Sequence, residues 1–330
     1  MLPAQMRATL DPLATCTLTL VEALSSSDGT TKLLLSGRGG LPVETVIMRY
    51  SQKATVCISS QCGCPVGCSF CATGAMGLRR NLAVAEIVDQ VRAAAALLGE
   101  ECRRVSNVVY MGMGEPLLNL GPVLDSVRIL THPLGQKLAH RSLSISTIGI
   151  PRGILRLAHA EPQVNLAVSL HAPDDRTRAL LVPETYRHSV GEILDAAWQH
   201  FDLTHRKLLV EYVLIEGVND SADHARSLAG ILRGHVVTVN LLAWNQTLPS
   251  AWTDGEQSTC PRAEPQTRRL NSATAWGQAR RLRSSSPAAI AAFKNVLVAA
   301  HIETVVRRSK GAGIQAACGQ LAGRALSRPD

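Results

Sequence analysis

The chain has 330 residues, room for one large α/β domain or two ordinary ones. Hydrophobic residues make up 46% and aromatics only 3%, so a core must rest on Leu, Val, Ile and Ala; no apolar run approaches the roughly 20 residues of a membrane span. Net charge is +8, and it is local: Arg262 to Lys310 holds ten Lys/Arg against Glu264 and Glu303, while the remainder carries twenty-four of each sign, a pattern that suggests a polyanion partner rather than a uniformly basic surface.

The opening "MLPAQMRATLDPLATCTLTL" shows no charged n-region followed by a clean apolar stretch, so no export signal is read and a cytoplasmic, reducing location is expected. Residues 1–52 form a short lead-in outside the main repeat. From residue 53 strands and helices alternate. Strand "KATVCISS" enters a cysteine-rich loop. Helix "AVAEIVDQVRAAAALLG" follows, then strand "SNVVYMGMG" and a helix around "LGPVLDSVRIL". Next come strand "SLSIST", helix "GILRLAHA", strand "VNLAVSL", helix "VGEILDAAWQHF", strand "KLLVEYVL", helix "SADHARSLAGIL" and strand "VVTVNLLA". Six strands with helical crossovers over residues 53–245 imply an α/β fold with a parallel sheet, open or closed into a barrel. Residues 246–286 have little apolar periodicity and are read as an irregular basic insertion. Residues 287–330 supply a helix, "PAAIAAFKNVLVAAH", a strand, "ETVVRRS", and a glycine-flanked loop at Cys318.

Nine cysteines, an odd number in an unexported chain, argue for metal binding or catalysis over a disulfide framework. Cys64, Cys68 and Cys71 form C-x3-C-x2-C, with Phe70 before the last. Three thiolates on one loop can hold three irons of a [4Fe–4S] cube and leave the fourth iron open to a small molecule. After the first strand of a βα barrel, this spacing is the signature of radical S-adenosylmethionine (SAM) enzymes, in which the open iron chelates the SAM amino and carboxylate groups. The bland alternative is a tetrahedral zinc site on Cys62, Cys64, Cys68 and Cys71. Cys62 as a plain small residue fits the loop better, as do Cys16, Cys102 and Cys260.

The other candidates sit at strand ends, where a βα fold places its site. Gly114 and Glu115 close the second strand, where glycine permits close approach of a ligand and the carboxylate can take the SAM ammonium group. Ser146 ends the third strand, Ser169, Leu170 and His171 the fourth, and Asn245 the sixth. Singly, a Ser or Asn in such a place is more often a cap.

"CISSQCGC", "MGMGEPL", "LSISTIGI", "VNLAVSLHAP", "EYVLIEGVNDS" and "AACGQLAG", in this order, resemble the RlmN/Cfr family of radical SAM methyltransferases over roughly residues 40–245 and 287–323. "CISSQCGC", "LSISTIGI" and "PQVNL" look closer to Cfr, and "GMGEPLLN" closer to RlmN; the balance leans to Cfr. The resemblance implies a partial (βα)6 barrel, a [4Fe–4S] cluster, two SAM molecules per turnover, and methylation of an adenine carbon, C8 or C2, in 23S ribosomal RNA. Resistance to ribosome-targeting antibiotics would follow from such a mark. It also implies that Cys318 accepts a methyl group, that Cys57 later forms a disulfide with Cys318 to release the product, and that Glu44 accepts a proton. Ribosomal RNA, with tRNA as a second candidate, and a flavodoxin or ferredoxin donor are the implied partners of a monomer.

Two departures from the family pattern stand out. Only about 43 residues precede Glu44, so the family's helical accessory domain is expected to be missing or reduced to "MRATLDPL". The basic insertion is longer than the family's usual link, and "NLLAWNQ" replaces a proline-containing turn. A same-mechanism methylase acting on a small molecule or peptide therefore stays open beside the RNA reading, as does a zinc-dependent RNA-binding protein.

Overall fold

A computed structural model describes residues 16–51, 53–101, 103–247 and 282–322. "MRATLDPL", Cys102, Cys260 and most of the basic insertion, including Arg268, Arg269, Arg280 and Arg281, lie outside the described residues.

One sheet of ten strands organises the chain. Its core is the parallel run β4 (Lys53–Cys57), β7 (Arg104–Tyr110), β8 (Leu143–Thr147), β9 (Asn165–Ser169), β10 (Leu208–Leu214) and β11 (Val237–Ala243), neighbours in that order. These are the six strands expected from the sequence. β12 (Glu303–Arg307) adds a seventh parallel strand beside β11. At the other edge the lead-in continues the same sheet: β1 (Thr19–Ser25), β2 (Thr30–Ser36) and β3 (Pro42–Arg49) form an antiparallel meander whose last strand pairs with β4. β5 (Gln61–Gly63) and β6 (Leu78–Asn81) form a separate hairpin.

Helices pack on one face of the sheet, and strand alternation decides what faces them. On β8, Leu143 and Ile145 are fully buried in the helix-side core, which leaves Ser144 and Ser146 on the inner face. On β10, Leu208, Val210, Tyr212 and Leu214 enter the core, which leaves Glu211 and Val213 inside. The crossover helices are α2 (Val84–Glu100), α3 (Leu120–Thr131), α4 (Pro151–Ala160), α6 (Val190–Thr204) and α7 (Ala222–Leu232), and α8 (Pro287–Ala299) precedes β12. The short helices α1 (Ala72–Ala75) and α5 (Asp175–Ala179) lie by the cysteine loop and after β9. Ser189 starts α6 with a reciprocal cap: its hydroxyl accepts from Glu192 N at 3.1 Å while the Glu192 carboxylate accepts from Ser189 N at 2.9 Å. No helix among the described residues is long and apolar enough to cross a membrane.

Candidate active site

The cysteine loop, residues 64–77, hangs from the β5–β6 hairpin. Its neck is closed by Cys64 N donating to Gly77 O at 3.1 Å. Gly63, at φ +77°, lies so near that an added Cβ would sit 1.9 Å from the same carbonyl. The loop is pinned from outside by Ser69 N to Leu181 O at 3.0 Å and by the Trp244 indole N–H to Phe70 O at 3.0 Å. Val66, Ile148, Leu181, Val182, Val213 and Ile215 form its apolar bed.

Burial is the first cause that raises the Cys64, Cys68 and Cys71 thiols above the usual range. Mutual repulsion comes next: Cys71 raises Cys64, and Cys71 and Cys64 both raise Cys68. Three thiolates are therefore unfavourable together unless a cationic group joins them, and an iron–sulfur cube is such a group. Among the described residues no three His, Cys, Asp or Glu side chains are arranged to hold a single metal ion. A cube takes each thiolate on its own iron, and three mutually repelling thiols on one buried loop are the donors such a cluster uses. Cys62 stands apart, fully buried in the helix-side core with its thiol donating to Pro42 O at 3.2 Å.

A methyl group at position 63 meets backbone on one side and a left-handed φ on the other. Gly63→Ala is expected to lose about 1–2 kcal/mol from backbone strain alone and about 1–3 kcal/mol more from the forced shift. Iron content per chain after reconstitution should fall well below that of the parent protein, because the loop neck must open.

The predicted strand-end residues converge. The Ser146 and Ser169 hydroxyls lie 3.1 Å apart. Gly114, at φ +99°, has no room for a Cβ against Gln61. Glu115 is buried, and both its oxygens are engaged: Oε1 accepts from Leu117 N at 3.0 Å and Oε2 from Ile148 N at 2.8 Å. Burial pushes its pKa up to about 7 despite those bonds. His171 is held at φ +59° by Asn219, whose amide donates to His171 O at 2.8 Å and Val213 O at 2.6 Å. Its Nδ1 accepts from Val213 N at 3.1 Å, which leaves the proton on Nε2. Burial, then the nearby Arg178 charge, lowers its pKa to about 3, so it is neutral. Its ring meets Phe70 edge-on at 4.9 Å. Leu170 differs: its side chain is fully buried in the helix-side core, so only its backbone borders the site.

After β12 the chain crosses from that edge of the sheet back over β2 and β3 near its other edge as a strap carrying Cys318. Gly311 N donates to Asp28 Oδ2 at 2.8 Å. Cys318 O accepts from the Asn245 amide at 3.3 Å, and Gly319 O from Ala72 N at 2.7 Å, one residue beyond Cys71. Leu321 O accepts from the Thr73 hydroxyl at 2.5 Å. Cys318 is open to solvent at the mouth, yet the surrounding walls raise its thiol, with Glu211 and Cys71 adding to the rise and Arg307 opposing it. Cys57 is buried; burial, then the charge of Cys318, raises its thiol. Both are free thiols, with no disulfide between them.

Sequence reading missed three charged residues here. Arg178 on α5 is fully buried and donates to Ser169 O at 3.3 Å, and to Leu170 O and Ile148 O, tying the ends of β8 and β9 beside the cysteine loop. Burial lowers its pKa to about 10, with the Cys68 charge opposing the fall, so it remains a cation. Glu211 is a buried carboxylate on the inner face, held by the Asn240 amide at 2.8 Å. A lone charge inside "LLVEYVL" was its only signal. Lys32 pairs with Glu44 at 3.1 Å, both buried.

Residues 58–228 match the radical SAM superfamily. A protein of Thermus thermophilus bearing the name "Probable dual-specificity RNA methyltransferase RlmN" is 41% identical over 92% of this chain and 77% of its own. A Frankia casuarinae protein of the same name is 44% identical over 97% and 71%. Neither lends weight to the lean toward Cfr. The crystal structure of a radical SAM methyltransferase from Sphaerobacter thermophilus superposes with a TM-score of 0.84 at 42% identity, covering 98% of this chain and 86% of that one. The superfamily's cofactors are a [4Fe–4S] cluster and SAM, in keeping with the donor set in the loop. With relatives this similar over most of their length, the chain belongs to the radical SAM superfamily and, within it, to the RlmN family of methyltransferases.

Proposed function

We propose that the protein methylates an sp2 carbon of an adenine, C2 or C8, in 23S ribosomal RNA, by way of a methyl group carried on Cys318. The observation that carries the reading is the strap: it lays a cysteine from the far end of the chain over the apolar cluster that holds Cys57 and beside the residues that follow Cys71. A loop that only closed a domain would not need a thiol there.

When bound, the cluster and SAM supply the radical that removes a hydrogen atom from the methyl group on Cys318. The residues divide the remaining work. Cys64, Cys68 and Cys71 would hold the cluster, and Gly114, Glu115, Ser146, Ser169, the Leu170 backbone, His171 and Asn245 would hold SAM. Cys318 loses its thiol proton, and its sulfur attacks the methyl carbon of a first SAM, forming S-methylcysteine and displacing S-adenosylhomocysteine. After the methylene carbon has joined the adenine, the radical adduct must give up one electron, for which the cluster, when bound, would be the acceptor, and a base takes the proton from the reacting ring carbon. Glu44 is the carboxylate that the family resemblance assigns to this step. The Cys57 thiolate then attacks the Cys318 sulfur. The sulfur–carbon bond breaks, its electron pair stays on the adenine side and takes up a proton to complete the methyl group, and a Cys57–Cys318 disulfide remains to be reduced. A resident basic surface suits RNA better than a small molecule, since Arg307, Arg308 and Lys310 lead into the strap. Resistance to ribosome-targeting antibiotics would follow from such a mark.

Mass spectrometry of 23S rRNA from cells with and without the gene tests this reading. A methyladenosine that depends on the gene is expected, and its position on the ring decides the carbon. Unchanged rRNA with a methylated small molecule would replace the substrate.

If Glu115 takes the SAM ammonium group, ligand binding must expel its proton. A cation favours the ionised form, so affinity should be full above about pH 7 and should fall about tenfold per pH unit below it. Glu115→Gln should flatten that profile in equilibrium binding of SAM.

A further inference from the structure

The Lys32–Glu44 pair does more than bury two charges. Lys32 Nζ lies 3.1 Å from Glu44 Oε1 and donates to Gln315 O at 3.3 Å. Glu44 Oε2 accepts from Ala322 N at 3.0 Å. The pair thus grips the strap on both sides of Cys318, three residues before it and four after. Glu44 is itself anchored, since its carbonyl accepts from the Ser59 hydroxyl at 2.6 Å, and that hydroxyl also accepts from Met113 N at 2.9 Å. Ser59 lies two residues past Cys57, so one chain of hydrogen bonds runs from the strap to the Cys57 segment. The underside of the strap, Ile314, Ala316 and Leu321, rests on Met48, Met76, Met111 and Met113 around Cys57. Methionine side chains adapt to changes in a packing partner. The strap therefore has a soft bed and a polar grip, and the grip fixes its place.

We propose that the Lys32–Glu44 pair is a clasp that holds the strap, and with it Cys318, in place at the mouth, and that Lys32 is a positioning residue for the methyl-carrier chemistry. The role in chemistry rests on the function proposed above; the clasp itself does not. With the clasp closed, Glu44 Oε1 faces Lys32 and Oε2 faces Ala322 N, so both oxygens are occupied. Glu44 is bonded to the strap itself, through Ala322 N, so any movement of the strap also removes a partner of the carboxylate.

The test uses the reconstituted, anaerobic protein and reads hydrogen–deuterium exchange in peptides covering 312–322. Lys32→Met leaves Glu44 buried without its partner, which can unfold a chain outright. The double variant Lys32→Met/Glu44→Met removes both charges and is expected to fold. Its exchange at 312–322 should rise at least tenfold while peptides from β8 to β10 keep parental rates. Lys32→Arg, which keeps the cation, should restore slow exchange. A second readout is single-turnover methylation of Cys318 by SAM: the double variant should react at least tenfold more slowly at saturating SAM, with little change in the SAM concentration for half-maximal rate. Parental exchange at 312–322 in the double variant would overturn the clasp. Fast exchange with unimpaired Cys318 methylation would overturn the positioning role. A parent protein that never methylates Cys318 would count against the proposed function and leave the exchange result to judge the clasp alone.

Discussion

Replacing Cys57 with alanine is expected to trap the protein on its RNA. In that variant Cys318 keeps its place at the mouth, held by Asn245 and Ala72 through backbone carbonyls that the substitution does not touch. Methyl transfer to Cys318 and addition to the adenine should both proceed. The sulfur–carbon bond then has no thiolate to break it, because no other described thiol near Cys318 is free of a proposed ligand role: Cys71 is assigned to the cluster and Cys62 is buried in the helix-side core. A covalent protein–RNA adduct should accumulate as a slow-migrating, nuclease-sensitive band, with turnover reduced at least to the level of a single event. Cys318→Ala should behave in the opposite way, giving neither adduct nor product. Normal turnover by Cys57→Ala would remove the resolving role.

The second large effect concerns the loop ligands. Cys64→Ala, Cys68→Ala and Cys71→Ala should each abolish reductive SAM cleavage, by three orders of magnitude or more, since each withdraws one thiolate from the cluster. Cys62→Ala should retain most of the activity. Its thiol sits on the helix side, bonded to Pro42 O, and its loss removes little more than one buried sulfur. Stability should fall by about 1 kcal/mol for that small cavity and lost contact. Iron analysis and the rate of SAM cleavage in each variant decide the matter. A Cys62 variant without iron, beside a Cys64 variant that kept it, would reverse the assignment.

The βα repeat was legible because its strands are short β-rich segments, several with alternating burial, set between helical periods. "SLSIST" and "KLLVEYVL" show both layers at once: the apolar positions pack on helices and the polar ones face inward. The cysteine loop was legible because its chemistry is local in sequence. The strap was not. Its grips join residues about 280 positions apart, such as Glu44 with Ala322, and no periodicity records such a contact. Lys32 and Arg178 were missed for a related reason: a charged residue is read as solvated unless something in the chain names its partner, and here the partners are backbone carbonyls and a distant carboxylate. Leu170 shows the reverse. It lies between two site residues, but period-two alternation turns its side chain into the core. The lead-in was read only as a stretch outside the βα repeat; its three strands extend the same sheet, and β3, which carries Glu44, pairs with β4.

Peptide mass spectrometry of the protein as purified from cells tests the central claim most directly. The tryptic peptide containing Cys318 should carry one added methyl group on that sulfur in a substantial fraction of molecules, and the group should become fully labelled when the cells are fed methyl-deuterated methionine. The peptide containing Cys57 should carry none. An unmodified Cys318 in protein that nonetheless holds its cluster and methylates RNA would contradict the methyl-carrier account.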